Sequence, residues 1–301
     1  MIEIINHLDH PEVNPKVISA SNAIINISAY YFLELNDLQN LKSILKNKAL
    51  SLELKGTILL AHEGINLFLA GTRDKIYQMT DFLSTLLPLP DIDFKESPSD
   101  DQPFKRLLVK IKKEIISMGV PEVKPYDFKA PYISAQELKA KLDNNPELIM
   151  LDTRNDYEIK IGKFTDAVEL PIRTFRAFPE AIKHLDESFK NKPIVTYCTG
   201  GIRCEKAASF MISQGFKEVY QLHGGILKYF ETCGESHYEG DCFVFDQRVA
   251  LNPNLIETDA AQCFACRMPV TKEEQQSDLY KIAEYCPSCY QKNKNKERNE
   301  L

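Results

Sequence analysis

A chain of 301 residues and 34.4 kDa is long enough for two or more compact cores, and its hydrophobic fraction of 44% is ordinary for a globular protein. A net charge of −6 and a pI near 5.6 exclude a generic polyanion binder and leave room only for local basic patches. No run approaches the roughly 18 apolar residues of a membrane span, and the opening MIEIINHLDH has neither a basic head nor an apolar export stretch, so a cytoplasmic protein with no membrane partner is expected.

In chain order, residues 22–35 read as a strand, and Asp37 caps a helix whose Leu38, Leu41, Ile44 and Leu45 form one apolar stripe. Residues 56–71 read as a hairpin with His62, Glu63 and Gly64 at its turn. Thr72 is placed to cap a second helix carrying Ile76, Met79, Phe82, Leu83 and Leu86, and Pro88 and Pro90 end it. A last strand is expected at 92–94 or 107–111, with the charged loop KESPSDDQPFKRL between the two. The order β, α, β, β, α, β is the ferredoxin-like split unit, an antiparallel sheet with helices on one face. Lys105, Arg106, Lys110 and Lys112 then lie on a solvated edge or on a phosphate-contacting patch. Residues 119–131, with three prolines, read as a linker.

Ser134 and Glu137 have capping-box spacing at the start of a second unit. Its expected elements are a strand at 148–151, a short helix at 152–161, a strand at 167–170 and a long helical stretch to Lys190. A strand at 193–197, a helix at 205–214 and a strand at 218–222 complete it. Alternating strands and helices predict a mostly parallel sheet with right-handed crossovers. Cys198 follows the central strand, in the loop Cys198, Thr199, Gly200, Gly201, Ile202, Arg203. The glycines allow backbone N–H groups to turn inward, and a helix start and Arg203 add positive charge, which together favour thiolate over thiol. Cys204 is a resolving thiol or a packing group. Asp152 and Arg154 read as a buried ion pair supporting the loop. Arg173 and Arg176 either face the pocket, with Phe175 or Phe178 as a stacking surface, or belong to one ordinary helix. His62, Glu63 and His223 read as structural.

The remainder, 233–301, is irregular except for CFVFDQRVAL, read as one strand. Cys263 with Cys266 and Cys286 with Cys289 form two CxxC pairs separated by 19 residues, the spacing of a closed, structural, four-thiolate zinc site. Cys233, His237 and Cys242 are too weakly spaced for a second metal. The tail QKNKNKERNEL reads as a solubilising, disordered end.

Three strings, the Cys198 loop, DTRNDYE and QLHGGI, resemble a rhodanese domain. The longer strings GTILLAHEGIN, YCTGGIRCEKA, LHGGILKYFE and CFVFDQRV, with the terminal cysteine pairs, resemble the bacterial tRNA uridine hydroxylases across nearly the whole chain. This resemblance implies an acylphosphatase-like (ferredoxin-like) domain at 1–118, a linker at 119–131, a rhodanese domain at 132–232 and a cysteine-rich, zinc-ribbon-like module with a basic tail at 233–301. It further implies oxygen-dependent hydroxylation of the wobble uridine in a tRNA anticodon stem-loop to 5-hydroxyuridine, with Cys198 as the active cysteine and with Lys105, Arg106, Lys110, Lys112, Arg173 and Arg176 as candidate RNA contacts. Molecular oxygen is then a co-substrate, and no flavin, haem or nucleotide motif is seen. Sulfur transfer through a Cys198 persulfide is the alternative. A loop one residue shorter than that of the related phosphatases disfavours phosphate chemistry.

Overall fold

The computed structural model describes residues 24–88, 92, 94–145 and 147–290. Pro90, most of the opening segment and the tail 291–301 lie outside the described residues.

The first layer runs β1 (Ile24–Phe32), α1 (Leu38–Ser51), β2 (Lys55–Ala61), β3 (Gly64–Thr72), α2 (Arg73–Leu86), β4 (Lys95–Ser99) and β5 (Leu107–Ile111). Its sheet order is β4-β1-β3-β2-β5, the split unit with one extra strand parallel to β2 at the edge. Both 92–94 and 107–111 were candidate last strands. Of these, 107–111 is β5, whereas 92 and 94 lie outside any strand; the fourth strand, KESPS, comes from within the expected loop, and Pro98 is tolerated because β4 is an edge. Asp37 caps α1 through Asn40 N–H, whereas Thr72 occupies the cap position of α2 without a side-chain bond. Leu45, Ile58, Leu60, Ile65, Leu67, Ile76, Met79 and Leu83 are fully buried between helices and sheet, each worth about 1.5–3 kcal/mol of burial.

The second layer comprises β6 (Tyr132–Ile133), α3 (Ala135–Asn144), β7 (Ile149–Asp152), α4 (Asp156–Ile159), β8 (Gly162–Phe164), β9 (Val168–Glu169), α5 (Phe178–Ala181), β10 (Pro193–Tyr197), α6 (Ile202–Ser213), β11 (Glu218–Leu222) and α7 (Gly225–Cys233). The strands β6-β11-β10-β7-β9 are all parallel, with β10 at the centre. The Ser134–Glu137 capping box is present. Two local expectations fail. Asp152 ends β7 instead of opening a helix, because its carboxylate accepts from the Arg154 backbone and guanidinium. The long helix to Lys190 is broken into short turns around α5. Pro179 is tolerated at the start of that helix, but Leu185 is extended and Asp186 begins a new turn by accepting from Ser188 N–H. Residues 119–131 pack against the second layer: Ala130 is buried, its carbonyl accepts from Gln221, and Phe128 O accepts from Ser209.

Beyond α7 lie β12 (Tyr238–Gly240), β13 (Cys242–Phe243), β14 (Ala250–Leu251), β15 (Ala261–Gln262), β16 (Pro269–Val270) and α8 (Lys272–Gln275). CFVFDQRVAL is therefore a small hairpin, β13 paired with β14, and not one strand. Its turn is set by Asp246, which binds Arg248 two residues on, and by Val249 at φ 63°. No helix among the described residues is long and apolar enough to cross a membrane.

Candidate active site

Strand β10 delivers Cys198 to the carboxyl end of a parallel sheet, where such folds build their sites. Helix α6 begins at Ile202, three residues earlier than its apolar spacing suggested, so Arg203 and Cys204 lie in its first turn. The turn is tight. Gly201 adopts φ 94°, and a Cβ there would come within 2.9 Å of the Tyr30 hydroxyl. Gly225 at φ 67° lets α7 approach so closely that a Cβ would lie 2.4 Å from the Cys198 carbonyl oxygen. That approach lets Ile226 N–H donate to Cys198 O and Leu227 N–H to Thr199 O, which gives the LHGGI string its physical purpose.

The Cys198 sulfur accepts from Gly201 N–H at 3.1 Å. Burial alone would push the thiol up, but a hydrogen bond from Cys204, the Arg203 charge and the Arg203 N–H bring it down to about 5. Cys204, buried beside the thiolate, moves in the opposite direction. Both shifts favour a thiolate on Cys198 with a neutral Cys204 beside it. Cys242 is also buried near this sulfur and is pushed up to about 12, leaving it a neutral packing group.

The first turns of α6 are buried all round, and each polar side chain is satisfied in a different direction. Arg203 forms a two-pronged pair with Glu158 of α4, both bonds 2.6 Å. Glu205 accepts from Tyr132 at 2.6 Å and from Tyr30 of β1 at 3.3 Å. Lys206, 1% exposed, binds Glu63 and Glu114, each at 2.8 Å. One helix thus ties the thiolate loop to both layers. Arg154 is sealed in a separate pair with Asp152 at 2.6 Å, lies over the Tyr197 ring and has no exposed surface. It supports the strand end and does not face the cavity.

That cavity, ≈ 620 Å3, lies between the two sheets and the β13–β14 hairpin, within the range of small-ligand sites. Cys198, Thr199, Gly200, Ile202 and Arg203 line one wall, Asn26, Tyr30 and Lys95 another, and Phe245 and Arg248 a third. Among the proposed RNA contacts it includes Lys112 and Arg176. Arg173 turns away to pair with Asp156, and Lys105, Arg106 and Lys110 are exposed outside the lining. Phe178 is fully buried in the second core, whereas Phe175, also in that core and only 5% exposed, reaches the cavity lining. His62 bonds the Leu35 carbonyl, Glu63 serves Ile115 N–H and Lys206, and His223 meets Tyr132 edge-on.

Glu158, Glu205, Tyr30, Lys95 and Phe245 were not singled out from the sequence. Glu158 stands inside the DTRNDYE string and was open to discovery there. The others come to the loop from segments whose local patterns carry no such signal.

The four terminal cysteines converge, as their spacing suggested. All Sγ atoms lie within 4.8 Å of one another, with Cys263–Cys289 at 3.8 Å and Cys266–Cys286 at 3.6 Å. Sulfurs about 2.3 Å from a tetrahedrally held zinc would stand about 3.8 Å apart, so the group fits that ion. Cys233, His237 and Cys242 form no cluster among the described residues, and His237 pairs with Asp143.

Residues 24–115 match the family described as the UPF0176 acylphosphatase like domain, and residues 134–232 match the rhodanese-like domain. A protein of Cupriavidus necator named tRNA uridine(34) hydroxylase is 51% identical over 271 residues, covering 88% of this chain and 96% of its own. A Ralstonia nicotianae protein of the same name is 51% identical with the same coverage. One from Paraburkholderia xenovorans is 47% identical over 277 residues, covering 89% of this chain and 96% of its own. With this level of identity across both matched domains, the chain belongs to the tRNA uridine(34) hydroxylase family.

Proposed function

We propose that this chain hydroxylates uridine 34 of tRNA to 5-hydroxyuridine and that Cys198 prepares the base by covalent attack. The observation that carries the reading is a cysteine thiolate, held by Gly201 N–H and Arg203, on the wall of a cavity large enough for an extruded nucleotide. The identity of the relatives supplies the base and its position.

In this mechanism the Cys198 sulfur bonds to C6 of uracil, and the C5–C6 π pair moves toward C5 and O4. C5 then takes an oxygen atom. Loss of the C5 proton and departure of the Cys198 sulfur restore the double bond. Written whole, uridine, dioxygen and two reducing thiols give 5-hydroxyuridine, water and a disulfide, so a thiol reductant is part of the proposal. Arg203 stabilises the departing thiolate, and Cys204 donates to it. Lys112 and Arg176 are proposed to meet RNA phosphate at the cavity, with Lys105, Arg106, Lys110 and Arg173 farther along the anticodon stem.

Cys263, Cys266, Cys286 and Cys289 are proposed to hold a structural zinc, whose chemistry is to cross-link the two turns. The division into 1–118, a linker at 119–131, 132–232 and 233–301, and a cytoplasmic location with the tRNA, belong to the same reading.

The test is mass spectrometry of nucleosides from tRNA lacking the modification, incubated with the protein in air or under nitrogen. Gain of 5-hydroxyuridine only in air and only with Cys198 present is the expected result. A Cys198→Ser protein that makes normal amounts would remove the thiolate mechanism. Sulfur transfer is the second reading, favoured by the rhodanese-like loop itself. It requires a Cys198 persulfide after thiosulfate treatment and no dependence on oxygen.

A further inference from the structure

A base drawn out of the anticodon loop loses its stacking partners, and an aromatic face can return about 1–3 kcal/mol of that loss. Phe175 and Phe178 cannot serve, being 5% and 0% exposed. Of the aromatic side chains on the cavity wall, Phe245 alone is exposed, at 48%. It stands in the turn of the β13–β14 hairpin, outside both matched domains.

Phe245 is held on two sides. Toward the thiolate loop, the Thr199 hydroxyl donates to Phe243 O at 3.2 Å, and the Phe243 and Phe245 rings meet edge to face. Toward the first sheet, Arg248, 5% exposed, grips Asp246 with bonds of 2.9 and 2.6 Å and donates to Ser97 Oγ of β4 at 2.7 Å. The Arg203 guanidinium carbon lies 5.8 Å from the Phe245 ring centroid, which places the ring one side chain from Cys198. A half-exposed aromatic is ordinarily mobile. This one is fixed between two domains, so little ordering entropy remains to be lost when a flat ligand packs on it.

We infer that Phe245 is the platform on which the extruded uracil stacks, and that the β13–β14 hairpin completes a site the two matched domains leave open. The inference rests on the hydroxylase reading. Stacking is indifferent to hydrogen-bonding edges, so the platform contributes affinity and orientation and leaves base choice to polar groups on the other walls.

The test is a double-mutant cycle with full-length protein and anticodon stem-loop RNA carrying either uridine or an abasic site at position 34. Wild-type protein is expected to bind the abasic RNA about 10-fold more weakly, and Phe245→Ala to bind the uridine RNA about 10-fold more weakly without distinguishing the two RNAs. Phe245→Tyr should restore the distinction. Unchanged alkylation of Cys198 in Phe245→Ala shows that the loop is intact, and Phe245→Leu, which keeps an apolar side chain there, covers the case in which it is not. A Phe245→Ala protein that still separates the two RNAs by the wild-type factor would overturn the platform while wild-type hydroxylation leaves the parent reading standing. Wild-type protein that neither binds nor hydroxylates the uridine RNA would remove both.

Discussion

Cys198 and Cys204 sit on a strand-to-helix turn against a cavity, whereas Cys263, Cys266, Cys286 and Cys289 face one another across two turns near the end of the chain. Around Cys198, 1% exposed on the cavity wall, the partners are an N–H group, a thiol and a guanidinium, all able to favour a negative sulfur. Around the terminal four the nearest partners are other sulfurs, 3.6 and 3.8 Å away. The same element is thus suited to act as a nucleophile where cations and a cavity surround it, and as a metal ligand where its own kind does.

The largest effect should come from exchanging the two kinds of site by mutation. Cys198→Ser is expected to lower hydroxylation by at least about 10³-fold with little change in melting temperature at or below pH 5, where the thiolate contributes little. Cys263→Ser is expected to do the reverse, losing bound zinc and lowering the melting temperature by about 5 °C or more while Cys198 alkylates at the wild-type rate. Zinc retained in full by Cys263→Ser would break the comparison from the other side.

The next effect tests why Cys198 is a thiolate. Replacing Arg203 with Met together with Glu158→Gln removes the cation without leaving its partner charged and buried. Iodoacetamide alkylation near pH 6 should fall by about 10²-fold, and the rising limb of its pH profile should move from about 5 toward the ordinary thiol range. The linkage has a definite sign. Because the native thiol titrates below its unfolded value of 9.0, it contributes stability above that pH and loses it as pH falls through about 5. Thermal melts should therefore decline more steeply over this window for wild type than for Cys198→Ser.

Lys206→Met should act on the joint between the layers and not on the sulfur. It leaves Glu63 and Glu114, about one-sixth exposed, without their cation, and a loss of about 2–3 kcal/mol is expected in urea unfolding. The smallest effect belongs to Cys204→Ala, which removes one neutral donor. Alkylation near pH 6 should slow by about 2–5-fold, and a much larger loss would make Cys204 a redox partner of Cys198.

Legibility followed the range of the physics involved. The capping box at Ser134 and Glu137 and the Cys198 turn depend on residues a few positions apart, and each was found where the sequence placed it. The break after α5 was missed because helical spacing continued while Asp186 offered the backbone a competing bond. Strand β4 was missed because a run with a proline and a serine at either end of it has no apolar alternation, and an edge position needs none. Phe175 and Phe178 were sensible stacking candidates from proximity to two arginines, yet burial assigns both to the core.

By itself the sequence determined the thiol chemistry: a cysteine before two glycines and an arginine, and four more at metal spacing. These are short-range facts, set by φ angles and by groups the chain carries within one turn. Only the tertiary structure decided what meets the thiolate. Tyr30 and Lys95 arrive from the first sheet, Glu158 from α4 and Phe245 from a hairpin beyond both domains. Such meetings are fixed by long-range packing, in which Lys206 satisfies two distant carboxylates and Arg248 spans to Ser97, and no local pattern encodes a partner 151 residues away.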